Sequence, residues 1–387
     1  MKVKHIRKLL PVGHGAFFVE RLEVDGVRVL TAVYDCGDSN GGLLVKQYAE
    51  QEFGNSNGNV EHIDLLFISH FDTDHVNGLE YLKPYLMPAT HVFMPFYYTT
   101  LQSVYDSNKR KGIEYVVNTL GEVSIHPTLV QYREGYEPGQ LIDIDEERQD
   151  NKRGVIGNGQ PIIKKYNGQP IWKYVPFNIF NEQKLFTEFV DKVRTKLYWT
   201  DAKLQDVAHW SAHDVKSLRE IYKSFSRYTI NDNSLLVLSD RNCNILDDCI
   251  EDNCGELLHH FNDYPCCYWR CSCFRSSCLY TGDTVIKRGV RQSKYLNRYE
   301  TFIKELSLHT DYVSLMQIPH HGSNYNSNMS SLCDSMSHRL FCNYATSDTC
   351  NETFMLTTKT LDTVWKNVYM VTEDDKTLFE EQYVFWV

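Results

Sequence analysis

Residues 69–78 read SHFDTDHVNG and follow directly on the apolar run Asp64–Ile68, DLLFI. A short apolar run of this kind predicts a buried strand, so the polar motif falls at a strand end. Alternate side chains of an extended segment project together, which lets His70, Asp72 and Asp74 converge, and His75 joins them where the chain turns into a helix. Two imidazoles and two carboxylates in one short loop make a mixed nitrogen and oxygen donor set suited to zinc, manganese or iron. Capping a helix needs one carboxylate and leaves the rest of the cluster unexplained.

Two segments further along the chain also end predicted strands. LYTGDT at 279–284 places Gly282 where the backbone can pass close to an ion and Asp283 where a carboxylate can bridge two ions. IPHHGS at 318–323 ends the run Tyr312–Ile318 with His320, His321 and Ser323. Each is a weak signal alone; together with 69–78 they make a two-metal site. Other short apolar, β-branched runs are Arg28–Tyr34, His91–Met94 and Ser234–Leu238, and strands interspersed with helices predict an α/β layered core.

Six ordered segments now stand in the chain: VGHG at Val12–Gly15, YDCG at Tyr34–Gly37, HFDTDH at His70–His75, NDNSLLVL from Asn231, then TGD and PHHGS. In type and order they resemble the metallo-β-lactamase fold hydrolases. Within that family the chain is most similar to the branch typified by the soluble hydrolase domain of ComEC competence proteins, whose first motif is HxDxDH rather than HxHxDH. The resemblance implies an αββα sandwich, two facing sheets with helices outside and metals in the cleft at one sheet edge. It implies two divalent ions, zinc or manganese, with His70 and Asp72 serving one, Asp74 and His75 the other, and Asp283 bridging them. One of His320 and His321 completes the second site; with His320 as ligand, His321 is left to protonate the leaving oxygen, and Asp74 is catalytic as well as ligating. Asn231 stands where the superfamily usually supplies another histidine, so either it contributes an oxygen or that site is more open. Ser323 is the expected substrate contact, to a phosphate oxygen.

The activity so implied is metal-dependent hydrolysis, with a hydroxide shared by two ions ~3.5–4 Å apart as nucleophile. With a hydroxide as nucleophile, no protein nucleophile is needed. Because ComEC-like relatives are linked to nuclease activity, the expected substrate is a nucleic acid or another phosphodiester. A non-phosphate ester, lactone or amide is the alternative, and a partner-dependent effector or regulatory subunit is a third. NKRK at Asn108–Lys111, Lys164, Lys165, Tyr166 and Tyr174 are the residues that would track a backbone and stack bases.

The 387 residues fit one hydrolase domain, 1–387, with a large insertion. The insertion is placed at 104–228, which carries 19 Lys plus Arg against 17 Asp plus Glu in a chain whose net charge is -10. It contains turn-rich stretches, then a helical stretch from Asn181 to Ser226 in which Leu185, Phe189, Val193 and Leu197 recur every four residues. It is also the candidate surface for a protein partner. With 42% apolar residues the chain is too hydrophobic for disorder, and the acidic balance argues against broad non-specific nucleic-acid binding.

Eight of the twelve cysteines fall in a second, Cys-rich insertion at 241–278. Cys249, Cys254, Cys271 and Cys273 are candidates for an additional structural zinc, against a redox-sensitive loop or buried free thiols. No apolar window is long enough for a membrane helix and the start lacks a signal peptide's apolar stretch, so reduced thiols and a cytoplasmic location are expected, with no membrane partner.

Overall fold

The structure is a computed structural model that describes residues 1–54, 60–97, 107–132, 141–145, 154–179, 182–206, 209–223, 233–242, 256–261, 264–270, 277–284, 301–310, 313–322, 340–346 and 368–387. Strand alternation builds its layers. In the strand Ile63–Phe67, Leu65 and Phe67 enter a cluster with Trp172, Tyr174, Leu235 and Val237, while Leu66 and the following Ile68 pack with Val45, Leu79, Leu82 and Val116. On Leu235–Arg241, Leu236 and Leu238 face the opposite way, onto Phe302 and Leu306. A strand that is apolar on both faces must be covered on both. Each sheet is therefore packed between the other sheet and helices, the αββα order that the sequence resemblance implies.

The first sheet runs Tyr264–Arg270, Glu256–Phe261, Phe379–Trp386, Lys2–Leu9, Ala16–Val24, Val27–Gly37, Ile63–Phe67, Leu86–Pro95, Thr128–Gln131, Val155–Gly157. The second runs Val368–Val371, Leu340–Thr346, Val313–Gln317, Cys278–Tyr280, Leu235–Arg241, Gln169–Asn178, Ile162–Tyr166, Ile142–Asp143. Val27–Gly37 and Ile63–Phe67 are parallel, as are Cys278–Tyr280 and Val313–Gln317, so the ends of each pair that lead into YDCG, SHFDTDH, TGD and PHHGS lie side by side. The antiparallel strand Ala16–Val24 starts opposite Gly37, which brings VGHG to the same edge.

The stretch 104–228 divides at Asn178. Up to that residue the described elements are the helix Ser107–Glu122 and strands of both sheets: Thr128–Gln131 and Val155–Gly157 extend the first, and Ile142–Asp143, Ile162–Tyr166 and Gln169–Asn178 the second. The turn in KKYNGQP is a tight hairpin, with Asn167 at φ 51° and Gly168 at φ 79°, the left-handed pair that an Asn-Gly turn supplies. Beyond Asn178, helices Glu182–Leu197, Asp201–Gln205 and Ala212–Lys223 close a core of their own around Leu185, Phe189, Val193, Leu204, Leu218 and Ile221. The four-residue spacing read in the sequence is that buried stripe.

Several residues expected to meet nucleic acid are committed elsewhere. Tyr174 is 2% exposed in the core between the sheets. Lys164 pairs with Asp145 at 2.8 Å and Lys165 with Asp143 at 2.7 Å. Alternation along two paired strands decides this, and residue type does not reveal it. The Cys-rich stretch is also more ordered than a loop: Glu256–Phe261 and Tyr264–Arg270 form a hairpin that pairs onto Phe379–Trp386. Cys249, Cys254, Cys271 and Cys273 lie outside the described residues. Cys36 and Cys278 are free buried thiols, and burial pushes both thiols up. Among the described residues no helix is long and apolar enough to cross a membrane.

Candidate metal centre

The loops at this edge are held by glycines and by buried acceptors. A Cβ on Gly37 would lie 2.3 Å from the Asp74 carbonyl, and one on Gly15 would lie 2.4 Å from the Gly37 carbonyl oxygen. These contacts allow only hydrogen, so VGHG and YDCG can press directly on the HFDTDH loop. Gly282 has φ +52°, and a Cβ there would meet Ser69 at 2.7 Å. Gln317 accepts from the amides of Thr281 and Gly282, both at 2.9 Å, and the His320 amide donates to the Gly282 carbonyl at 3.1 Å. The Leu235 amide donates to the Ser69 carbonyl at 2.7 Å, tying in the strand after NDNS.

Within this frame the donors converge on Asp283. Its Oδ1 is 3.4 Å from His75 Nε2 and 3.5 Å from His321 Nε2; its Oδ2 is 3.6 Å from both His70 Nε2 and His320 Nε2. His75 and His321 face each other at 3.4 Å between their Nε2 atoms. Asp74 Oδ2 lies 3.4 Å from His321, 3.8 Å from His75 and 3.8 Å from His14, while Asp72 lies 3.6 Å from His70. Two groups of donors each fall within 4.8 Å of one another: His70, His75 and Asp283, and His14, Asp74 and His321. Donors about 2.0–2.2 Å from an ion at tetrahedral angles stand about 3.4 Å apart, close to these separations.

Asp35 orients the imidazoles from behind. Its Oδ2 is 2.8 Å from His75 Nδ1 and accepts from Ser69 Oγ at 2.6 Å, and Ser69 Oγ is 2.8 Å from His70 Nδ1. Both histidines thus turn Nε2 toward Asp283, the carboxylate–histidine arrangement that fixes a metal-binding ring. The His70 Nε2 is buried and has no hydrogen-bond partner among the described residues. Such an atom, aimed at carboxylates 3.6 Å away, fits a site built for a cation.

No family model matches the sequence, and no curated protein matches it. Among solved structures, a crystal structure of a long form RNase Z from yeast is similar to 90% of this chain and 36% of that chain, at 11% sequence identity and a TM-score of 0.36. The chain spans about a third of the length of that chain. What the site can do follows from its own donors.

Their electrostatics are those of a cation pocket. Burial alone would lower the His75 pKa, but the carboxylates of Asp283, Asp35 and Asp74 outweigh it and hold it well above the ordinary value. Burial would likewise raise Asp283 and Asp74; His321 and His75 bring Asp283 well below the usual carboxylate range, and His75 and His321 bring Asp74 down to about 2. His14 is lowered to about 4 by burial and by His321, and His320 is lowered chiefly by burial. The carboxylates stay ionised and draw a proton onto His75, in the position where a divalent cation would replace it.

The structure brings together His70, Asp72, Asp74, His75, Asp283, His320 and His321. Of the two adjacent histidines, His321 is 2% exposed between Asp74 and Asp283, whereas the His320 side chain is 26% exposed at the rim. Their successive left-handed backbone, φ 50° and 52°, turns the second ring inward. Asn231 and Ser323 lie outside the described residues. Sequence reasoning gave no role to His14, Asp35 or Gln317. A histidine between two glycines, and an aspartate two residues before another glycine, were the visible signals.

Proposed function

We propose that this chain is a metal-dependent hydrolase that cleaves phosphodiesters, with nucleic acid as the substrate class. The observation that carries the reading is the packing of His75, His321, Asp74 and Asp283 at 3.4–3.8 Å around one point, with His70 on the far side of Asp283. Divalent ions bound there supply Lewis acidity toward the phosphoryl oxygens and an activated water. Asp283 turns one oxygen to each side and is the shared ligand. Asp74, ionised throughout the neutral range, is a ligand and not a proton donor. His321, buried between two carboxylates, takes the ligand role, and the more exposed His320 is left to contact the leaving oxygen. Asp35 and Ser69 hold the rings of His75 and His70. The glycine contacts at Gly15 and Gly37 leave the loops no room to relax when charge develops.

The test is hydrolysis of bis-nitrophenyl phosphate, single-stranded and double-stranded DNA, and RNA, beside a lactam and a thioester, with zinc or manganese and after chelation. Phosphodiester cleavage that is lost on chelation and regained with metal is the expected result. A response to the lactam or thioester alone overturns the phosphodiester reading.

A further inference from the structure

The motifs that resemble a known family leave His14 without a role, yet the fold carries it to the metal centre from a different strand pair. We propose that His14 is a metal ligand, holding the ion on the Asp74 side together with Asp74 and His321. The inference rests on the metal-centre reading but not on the identity of the substrate.

Three observations carry it. His14 Nε2 points at Asp74 Oδ2 from 3.8 Å, beyond hydrogen-bond reach but close to the spacing of two donors that share an ion. Its ring lies 3.9 Å, centroid to centroid, from that of His321, which faces the same carboxylate oxygen at 3.4 Å, and the three donor atoms fall within 4.8 Å of one another. The loop that bears it cannot stand off from the site. The chain pairs Ala16 with Gly37, and the missing side chain at Gly15 lets its backbone approach to within 2.7 Å of the Asp74 carbonyl, measured from where a Cβ would sit.

With His14 counted, each donor group holds two imidazoles and one carboxylate: His70, His75 and Asp283 on one side, His14, His321 and Asp74 on the other. Without it, the Asp74 side is left with one imidazole, His321, beside Asp74 and the shared Asp283. A histidine from the loop between the strands Lys2–Leu9 and Ala16–Val24 therefore supplies what Asp72, standing where a second imidazole of the motif would be, does not. Imidazole pairs of this kind suit zinc, and the carboxylate in each group is a donor that manganese also accepts.

Metal content tests this directly. Wild type, His14→Ala and His14→Phe are stripped with chelator, reloaded with zinc or cobalt(II), dialysed, and measured for bound metal, affinity and the visible cobalt spectrum. Phe keeps the ring against His321 while removing the nitrogen, and thermal melts of the metal-free proteins establish that each variant folds. The expected result is two equivalents in wild type, with one of them weakened at least about tenfold and a changed cobalt spectrum in both variants. Equal stoichiometry, affinity and spectrum in all three proteins overturn the proposal, as does a single equivalent in all three. Retention of both ions with loss of one limb of the pH–rate profile also overturns it, by making His14 a proton-transfer group. A wild type that binds two ions through His14 but cleaves no phosphodiester would defeat the functional reading and leave this one standing.

Discussion

Among the described residues, two buried clusters of charged side chains are built on opposite plans. Between the sheets, the Arg7 guanidinium reaches Glu20 at 2.8 Å and Glu381 at 2.9 Å, the Tyr280 and Ser239 hydroxyls donate to Glu20 at 2.6 Å and 2.7 Å, and Trp172 donates in turn to Ser239 at 3.0 Å. Burial would raise Glu20, but Arg7 and His5 hold it well below the usual carboxylate range. At the strand ends, Asp74 and Asp283 are similarly depressed, yet the groups that face them are imidazoles at 3.4–3.8 Å rather than a guanidinium in contact. The first cluster carries its own cation. The second is spaced to receive one. A buried ionic network closed by its own hydrogen bonds reads as architecture, and one that holds carboxylates and ring nitrogens at metal-ligand separations reads as a binding site.

That contrast breaks or sharpens under four substitutions. Arg7→Met leaves Glu20 and Glu381 buried without their cation and is expected to lower stability by about 3–5 kcal/mol in urea unfolding, with metal affinity of the folded molecule unchanged. A small effect there would mean that the inner network is not closed by Arg7. Asp283→Asn should do the reverse: metal affinity and phosphodiester hydrolysis fall by more than the roughly 100-fold that losing an outer partner causes, while the metal-free protein melts no lower than wild type. Retained affinity in titration calorimetry would remove Asp283 as the shared ligand. Asp35→Asn, which loosens the rings of His75 and His70 without removing a donor, is expected to weaken metal binding about 10–100-fold. If affinity holds, the carboxylate merely braces the loop.

The smallest effect concerns a third buried carboxylate with an intermediate plan. Glu305 accepts from Asn158 Nδ2 at 2.6 Å, and burial raises its pKa to about 7. The folded state therefore favours the protonated acid. Its contribution is present below the unfolded value near 4.5 and is lost as pH rises through about 7. Glu305→Gln should accordingly match wild type at pH 4 and be the more stable protein at pH 8, as read by denaturant midpoints. Equal midpoints at both pH values would show that the acid is not strained by burial.

Much of the site was legible because its donors are clustered in sequence. His70, Asp72, Asp74 and His75 lie within six residues after an apolar strand, and no ordinary cap or turn needs that composition. TGD and PHHGS were readable as strand ends for the same reason. Sheet membership within 104–228 was less legible. Gln169–Asn178 has Pro170 as its second residue and contains Lys173, and its neighbours are turn-rich, so composition did not show that the chain builds part of the second sheet there. Tyr174 looked available for stacking because a strand's two faces are indistinguishable until its partner is known.

By itself the sequence determined the local facts: which segments are apolar strands, that three of them end in His and Asp side chains, and that glycines stand beside those ends. Only the tertiary structure decided which of two adjacent histidines turns inward, that Asp35 holds the rings from behind, and that His14, 56 residues before His70, joins the cluster. The physical reason is that strand pairing sets those distances. Parallel neighbours align the ends that carry YDCG with SHFDTDH and TGD with PHHGS, while the antiparallel pairing of Ala16 with Gly37 delivers VGHG to the same edge. No periodicity within a segment encodes which segments will be neighbours.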